Sequence, residues 1–134
     1  MANLLLLDTN IVSNFIRFPG GPAAMHFRNN VDARLGTSVV VLAELYFGSE
    51  RVGSPKLRLR IETAIALIDV LPLEEPFAEH YAQIRSHLER HGTPISGNDL
   101  FIAAHARSLG ATLVTDNIRE FSRVPDLRVE NWLD

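Results

Sequence analysis

The chain has no cysteine among its 134 residues. That excludes a disulfide framework, a thiol nucleophile and a cysteine-based zinc site. Lysine is almost as scarce. Lys56 is the only one, and the other twelve basic residues are arginine. A phosphoacceptor receiver domain, also small, α/β and acid-rimmed, needs a lysine late in the chain, so a lone mid-chain lysine counts against it. Surplus positive charge is missing too. A net charge of −3 and a pI of about 5.9 leave no basic footprint for a plain DNA- or RNA-binding module. A nuclease is less affected, because metal-binding acids lower its net charge. The N-terminal apolar run is cut at Asp8 and follows no basic segment. It is too short for a signal peptide or a membrane span, so a cytoplasmic location without membrane contact is expected. What remains is 46% hydrophobic and 22% charged, the composition of one globular domain, residues 1–134, with a core of its own.

The stretch Leu4-Leu5-Leu6-Leu7-Asp8-Thr9-Asn10 organises the rest. A short apolar run bounded by a polar turn reads as a strand buried on both faces, as in parallel sheets. Ligands gather outside the carboxyl ends of such strands. Helical spacing follows over 11–18 and is stopped by Pro19-Gly20-Gly21-Pro22. A weaker helix over 23–32 leads to a second strand at 34–37. Ser38 is a plausible N-cap for a helix over 39–48, ending at polar Ser49-Glu50-Arg51. Pro55 opens a helix over 55–69, and a third strand spans 70–73. Pro76 opens a helix to Arg90, with Gly92 as its stop. Its His87/His91 pair has the i, i+4 spacing of a zinc site, but lacks the neighbouring glutamate and a third ligand. Ser96 caps a helix over 100–109, apolar on most sides, whose N-terminus is expected inside the core and favours an anion there. A fourth buried strand, 111–115, ends at Asp116, and a short last strand lies near 127–129. Strands alternating with helices predict an α/β fold with a parallel sheet and right-handed crossovers.

Four acids stand out, each with an ordinary alternative. Asp8 ends a buried strand, or is an Asx turn or N-cap. Glu44 interrupts an apolar helix, or lies on a solvated stripe paired to Arg51 or Arg17. Asp99 opens a core helix, or completes a near capping box with Ser96. Asp116 ends the fourth strand, or belongs to a turn with Asn117. In a parallel sheet, both strand ends and the N-terminus of a connected helix share one rim. Carboxylates packed there repel, and each raises its neighbours' pKa. A hard divalent cation, Mg²⁺ or Mn²⁺, held by one or two carboxylates and several waters, resolves the repulsion. It polarises a phosphoryl oxygen and lowers the pKa of an attacking water.

Leu-Asp-Thr-Asn at 7–10, Ala-Glu-Leu at 43–45, Gly-Asn-Asp at 97–99 with Ile102-Ala103-Ala104, and Val-Thr-Asp-Asn at 114–117 with Arg-Glu-Phe at 119–121 occur in that order. The ordered set resembles the PIN-domain ribonucleases, in particular the VapC-like toxins of bacterial toxin–antitoxin pairs, over nearly the whole chain. The resemblance implies a three-layer α/β/α sandwich around a central, mostly parallel sheet. It implies Mg²⁺- or Mn²⁺-dependent endonucleolytic cleavage of RNA, in single-stranded or loop regions and with tRNA as a candidate substrate. It also implies a homodimer and inhibition by a small antitoxin, expected in the groove near Glu44 and the 38–60 helices. The family's acidic quartet falls on Asp8, Glu44, Asp99 and Asp116. Asp116 stands where many relatives carry Asn, and Val41 where a hydroxyl residue is common. Asp8 and Asp99 are expected to bind the main metal, Glu44 to orient or deprotonate a metal-bound water, and Asp116 to complete the shell or serve a second ion. Thr9 and Thr115 are expected to hold carboxylates through their hydroxyls. Asn10 supports them, and Arg119 is the candidate for stabilising the leaving group. The rival within the same fold is a catalytically inactive scaffold that binds only protein partners.

Overall fold

The computed structural model describes residues 3–134. Five strands, β1 (Leu4–Leu7), β2 (Arg34–Ser38), β3 (Asp69–Leu71), β4 (Thr112–Val114) and β5 (Arg128–Glu130), form one sheet in the order β3-β2-β1-β4-β5. Every neighbouring pair is parallel, so the sheet is wholly rather than mostly parallel. Among the described residues seven helices flank it, making the α/β/α sandwich: α1 (Thr9–Arg17), α2 (Pro22–Asn29), α3 (Val39–Val52), α4 (Pro55–Ile65), α5 (Pro76–Arg90), α6 (Gly97–Ser108) and α7 (Ile118–Phe121).

The four leucines of β1 occupy the middle of this sheet because both faces there are covered. Leu5, Leu6 and Leu7 are buried, and Leu6, Val41, Leu113 and Ala104 reach zero exposure. Each fully buried Leu or Val contributes on the order of 1.5–3 kcal/mol. From β1 the chain runs outward to β2 and β3, then returns to add β4 and β5 on the other side. The order therefore reverses between β1 and β4, which opens a crevice beyond their carboxyl ends. Asp8 follows β1 and Thr115-Asp116 follow β4, so the topology brings them to that crevice. Backbone pairing locks the rim: the Asp8 N–H donates to the Val114 carbonyl at 2.9 Å, and the Thr115 N–H to that of Glu130 at 2.9 Å.

Several element ends differ from the sequence expectation. Helix α1 begins at Thr9 rather than 11, because Asp8 caps it, and ends at Arg17. Helix α2 spans Pro22–Asn29 rather than 23–32. Its chain leaves the helix at Asn30, whose side chain donates to the His26 carbonyl. Helix α3 runs past Gly48 to Val52 and stops at Gly53, which takes the left-handed conformation at φ 69° that L side chains disfavour. Helix α4 ends at Ile65 rather than 69, because Asp69 pairs with Gly36 to start β3. Helix α6 opens at Gly97, and its first two residues lie at the surface, not inside the core; burial begins at Leu100. Strand β4 is trimmed to 112–114, and β5 sits one residue later than expected. No described helix is long and apolar enough to cross a membrane.

Candidate active site

Asp8 is 5% exposed and performs two tasks. Its Oδ1 accepts the Thr9 N–H at 2.8 Å and caps α1, while its Oδ2 accepts the Thr115 hydroxyl at 2.8 Å. The capping alternative and the crevice position therefore coexist in one side chain. Among the described residues it has no cationic partner. Burial raises its pKa above the usual 3.8. The two hydrogen bonds work against that rise, and the charges of Glu44 and Asp116 add to it.

The other three acids of the expected quartet face the same rim from separate elements. Glu44, on α3, is half-buried and its Oε1 accepts the Thr9 hydroxyl at 2.8 Å. It makes no ion pair with Arg17 or Arg51. Asp99 sits in the first turn of α6, where Ser96 caps the helix by accepting the Asp99 N–H at 3.3 Å. Its pKa is raised to about 6. Burial is the main cause, followed by a hydrogen bond with the Glu120 carboxyl and the charge of Asp8, with the Ser96 hydroxyl opposing them. Asp116 is exposed, and its Oδ1 accepts the Asn10 side-chain amide at 3.0 Å. Arg119 is exposed and has no ion-pair partner among the described residues.

The profile of the PIN-domain family matches residues 5–127. The chain belongs to that family, among its VapC members. This PIN domain is 42% identical over 129 residues to the "tRNA(fMet)-specific endonuclease VapC" of Shigella flexneri, covering 95% of this chain and 96% of that one. It is 38% identical over 129 residues to "Ribonuclease VapC2" of Haemophilus influenzae, covering 96% and 97%. Among solved structures, VapBC2 from Rickettsia felis bound to a promoter DNA fragment superposes with a TM-score of 0.89 at 32% identity, covering 96% of this chain and 98% of that one. DNA-bound VapBC from Salmonella typhimurium gives 0.86 at 35%, covering 98% and 99%.

One acid at this rim of the PIN domain escaped the sequence reading. Glu120, on α7, reaches Asp99, and its Oε2 accepts the Asn117 side-chain amide at 3.1 Å. The Asn117 N–H donates to the Thr115 hydroxyl at 3.0 Å. A continuous chain of contacts thus joins Asp8, Thr115, Asn117, Glu120 and Asp99. The usable signal was the Asn-x-x-Glu spacing at 117–120, which puts the two side chains within reach on one helical turn, where the Asn117 amide meets the Glu120 carboxylate. Val41 is fully buried in the core and makes no polar contribution. His87 and His91 stack at 4.1 Å on α5, and among the described residues no three histidine or acidic side chains form a ready-made metal cluster.

Thr115 carries a testable load, being fully buried and donating to a buried carboxylate. Thr115→Val is expected to lower stability by about 1.5–3 kcal/mol at pH 7. The deficit should shrink on going from pH 7 toward pH 4, as Asp8, whose pKa is raised, takes up a proton and depends less on a charge-stabilising donor. Denaturant melts at the two pH values check this; an equal deficit at both would disconnect the hydroxyl from the Asp8 charge.

Proposed function

We propose that this single nuclease domain is a divalent-metal-dependent endoribonuclease and the toxin of a toxin–antitoxin pair, acting in the cytoplasm. The observation that carries the reading is a buried Asp8 without a cationic partner at the switch point of a parallel sheet, with Glu44, Asp99 and Asp116 around it. The donors there are oxygen only, which suits Mg²⁺ or Mn²⁺ rather than zinc. Such ions use one or two carboxylates and keep several waters, so a three-ligand cage is not required. Bound there, the cation supplies charge to a phosphoryl oxygen and lowers the pKa of a water.

Asp8 and Asp99 would hold the cation. Thr9 fixes Glu44 through Oε1, leaving Oε2 to orient a water and take its proton. Asp116, tethered by Asn10, extends the negative rim as the outer acid. Glu120, within hydrogen-bond reach of Asp99, would help to orient that carboxyl toward the cation. Arg119, exposed beside them, is the candidate to meet the leaving group.

The antitoxin would dock on an apolar groove of about 520 Å³ lined by Phe15, Ile16, Pro19, Leu59, Ala64 and Leu67, and reach from there toward Glu44. Exposed Phe18, Leu59 and Leu67 are costly to leave in water and suit such a cover. The VapBC complexes among the relatives support that partner, and a homodimer is the assembly in which we expect it to act. Because two relatives carry tRNA(fMet) in their names, tRNA is the RNA to test first. Expression of the chain alone is expected to arrest growth, and co-expression with the neighbouring antitoxin frame to relieve it. Purified protein should cut tRNA with Mg²⁺ or Mn²⁺ and stop with a chelator. Normal growth at verified high expression, or cleavage that persists in chelator, would overturn the reading.

A further inference from the structure

Two helical stripes face each other across a groove that starts at the candidate site. On α1, Thr9, Ser13 and Arg17 are four residues apart and lie on one face. On α3, Glu44, Gly48 and Arg51 repeat at four and three residues and do the same. All six line one groove of about 220 Å³, whose floor is apolar. The Thr9–Glu44 hydrogen bond closes its near end, at the acids. Arg17 and Arg51 stand at its far end, about 12 Å along α1 from Thr9 at 1.5 Å per residue.

Neither arginine has an ion-pair partner among the described residues, although Glu44 shares the groove with both. Arg51 rests with its guanidinium 5.6 Å from the Phe47 ring, which limits its freedom without neutralising it. Over Gly48 the groove is open: a Cβ built there meets nothing within 4 Å. A protein of net charge −3 thus keeps two unneutralised guanidiniums on opposite walls of a channel leading from its acids. Guanidinium forks bind phosphate in bidentate fashion.

We propose that this groove is the track for the RNA strand on one side of the cut, with Arg17 and Arg51 gripping phosphates beyond the scissile one. The proposal rests on the reading that Glu44 belongs to an RNA-cleaving site. The arginine-walled groove takes the substrate backbone, while the groove beyond Ile16, a residue that lines both, takes the antitoxin. An antitoxin segment that crosses Ile16 would then block the strand's path.

The test uses the full chain and a fluorescein-labelled tRNA pool. Binding is read by anisotropy in chelator over a series of salt concentrations, so that it does not depend on cleavage. Arg17→Ser and Arg51→Ser together are expected to weaken binding roughly tenfold or more, and to flatten the salt slope by about 1.4, two contacts at roughly 0.7 each for single strands. Gly48→Met keeps both arginines and improves helix propensity, yet should weaken binding by filling the groove. Arg90→Ser, an exposed arginine on α5, should bind like wild type. Unchanged affinity and slope in the double variant and in Gly48→Met would overturn the proposal, and so would a loss confined to antitoxin binding. If wild type binds RNA with an arginine-dependent slope but never cleaves it with metal, the nuclease reading fails and the groove stands. If it cleaves while all the variants bind alike, the groove fails alone.

Discussion

Asp8→Asn is expected to lower RNA cleavage by about two to three orders of magnitude while leaving the fold intact. The amide keeps the size and the cap, because its oxygen still accepts the Thr9 N–H. What disappears is the charge that would hold a cation at the end of β1. A metal contributes several kcal/mol of transition-state stabilisation, and each 1.36 kcal/mol is a factor of ten. Stability should move little, or rise. The Thr115 hydroxyl loses its acceptor, because the amide nitrogen that replaces Oδ2 only donates, but the chain no longer buries a carboxylate without a cationic partner, whose burial already pushes its pKa up. Single-turnover cleavage and thermal melts, read side by side, separate the two effects. Wild-type cleavage by the folded variant would remove Asp8 from the chemistry; loss of cleavage together with loss of folding would make it a structural cap.

The position of Asp8 was legible because a strand buried on both faces needs an unbroken apolar run, and the first charge marks its end. Parallel topology then sets the rim without further information. The alternatives attached to each acid were also physically sound, and at Asp8 and Ser96 the caps are present in the structure. A cap and a crevice-facing oxygen are not exclusive when a carboxylate has two oxygens. What stayed hidden depended on contacts distant in sequence. Strand β3 takes in Asp69 because Gly36 pairs with it and Arg34 binds its carboxylate at 2.9 Å. Helix α3 runs through Gly48 because the stop requires a left-handed residue, which Gly53 supplies. Glu120 looks like any helical-surface acid until Asn117 links it, through the Thr115 hydroxyl, to the end of β4.

Asp99→Asn should make the metal-free protein more stable at pH 7, the reverse of what loss of a capping acid would do. The folded pKa of Asp99, about 6, lies above its usual 3.8. Between those values the native state holds more protons than the unfolded chain, so stability falls as pH rises through the window. This contribution is fully present below pH 3.8 and lost above pH 6. At 1.36 kcal/mol per pK unit, and discounted for the partial exposure of the side chain, it is on the order of 2 kcal/mol. The Asn variant carries no such penalty at pH 7. It keeps the Ser96 cap, which bonds to the backbone N–H of residue 99. It gives up the attraction of a charge for the helix N-terminus, about 0.3–1 kcal/mol, so the relief is the larger of the two. Divalent metal should stabilise wild type by about 2.7 kcal/mol at a hundredfold excess over the dissociation constant, and should stabilise the variant less. Melts of both proteins, with chelator and with Mg²⁺ or Mn²⁺, at pH 4 and pH 7, decide the matter. A metal-free variant that is weaker at pH 7, with an undiminished metal response, would leave Asp99 as a helix-capping acid with no share in the site.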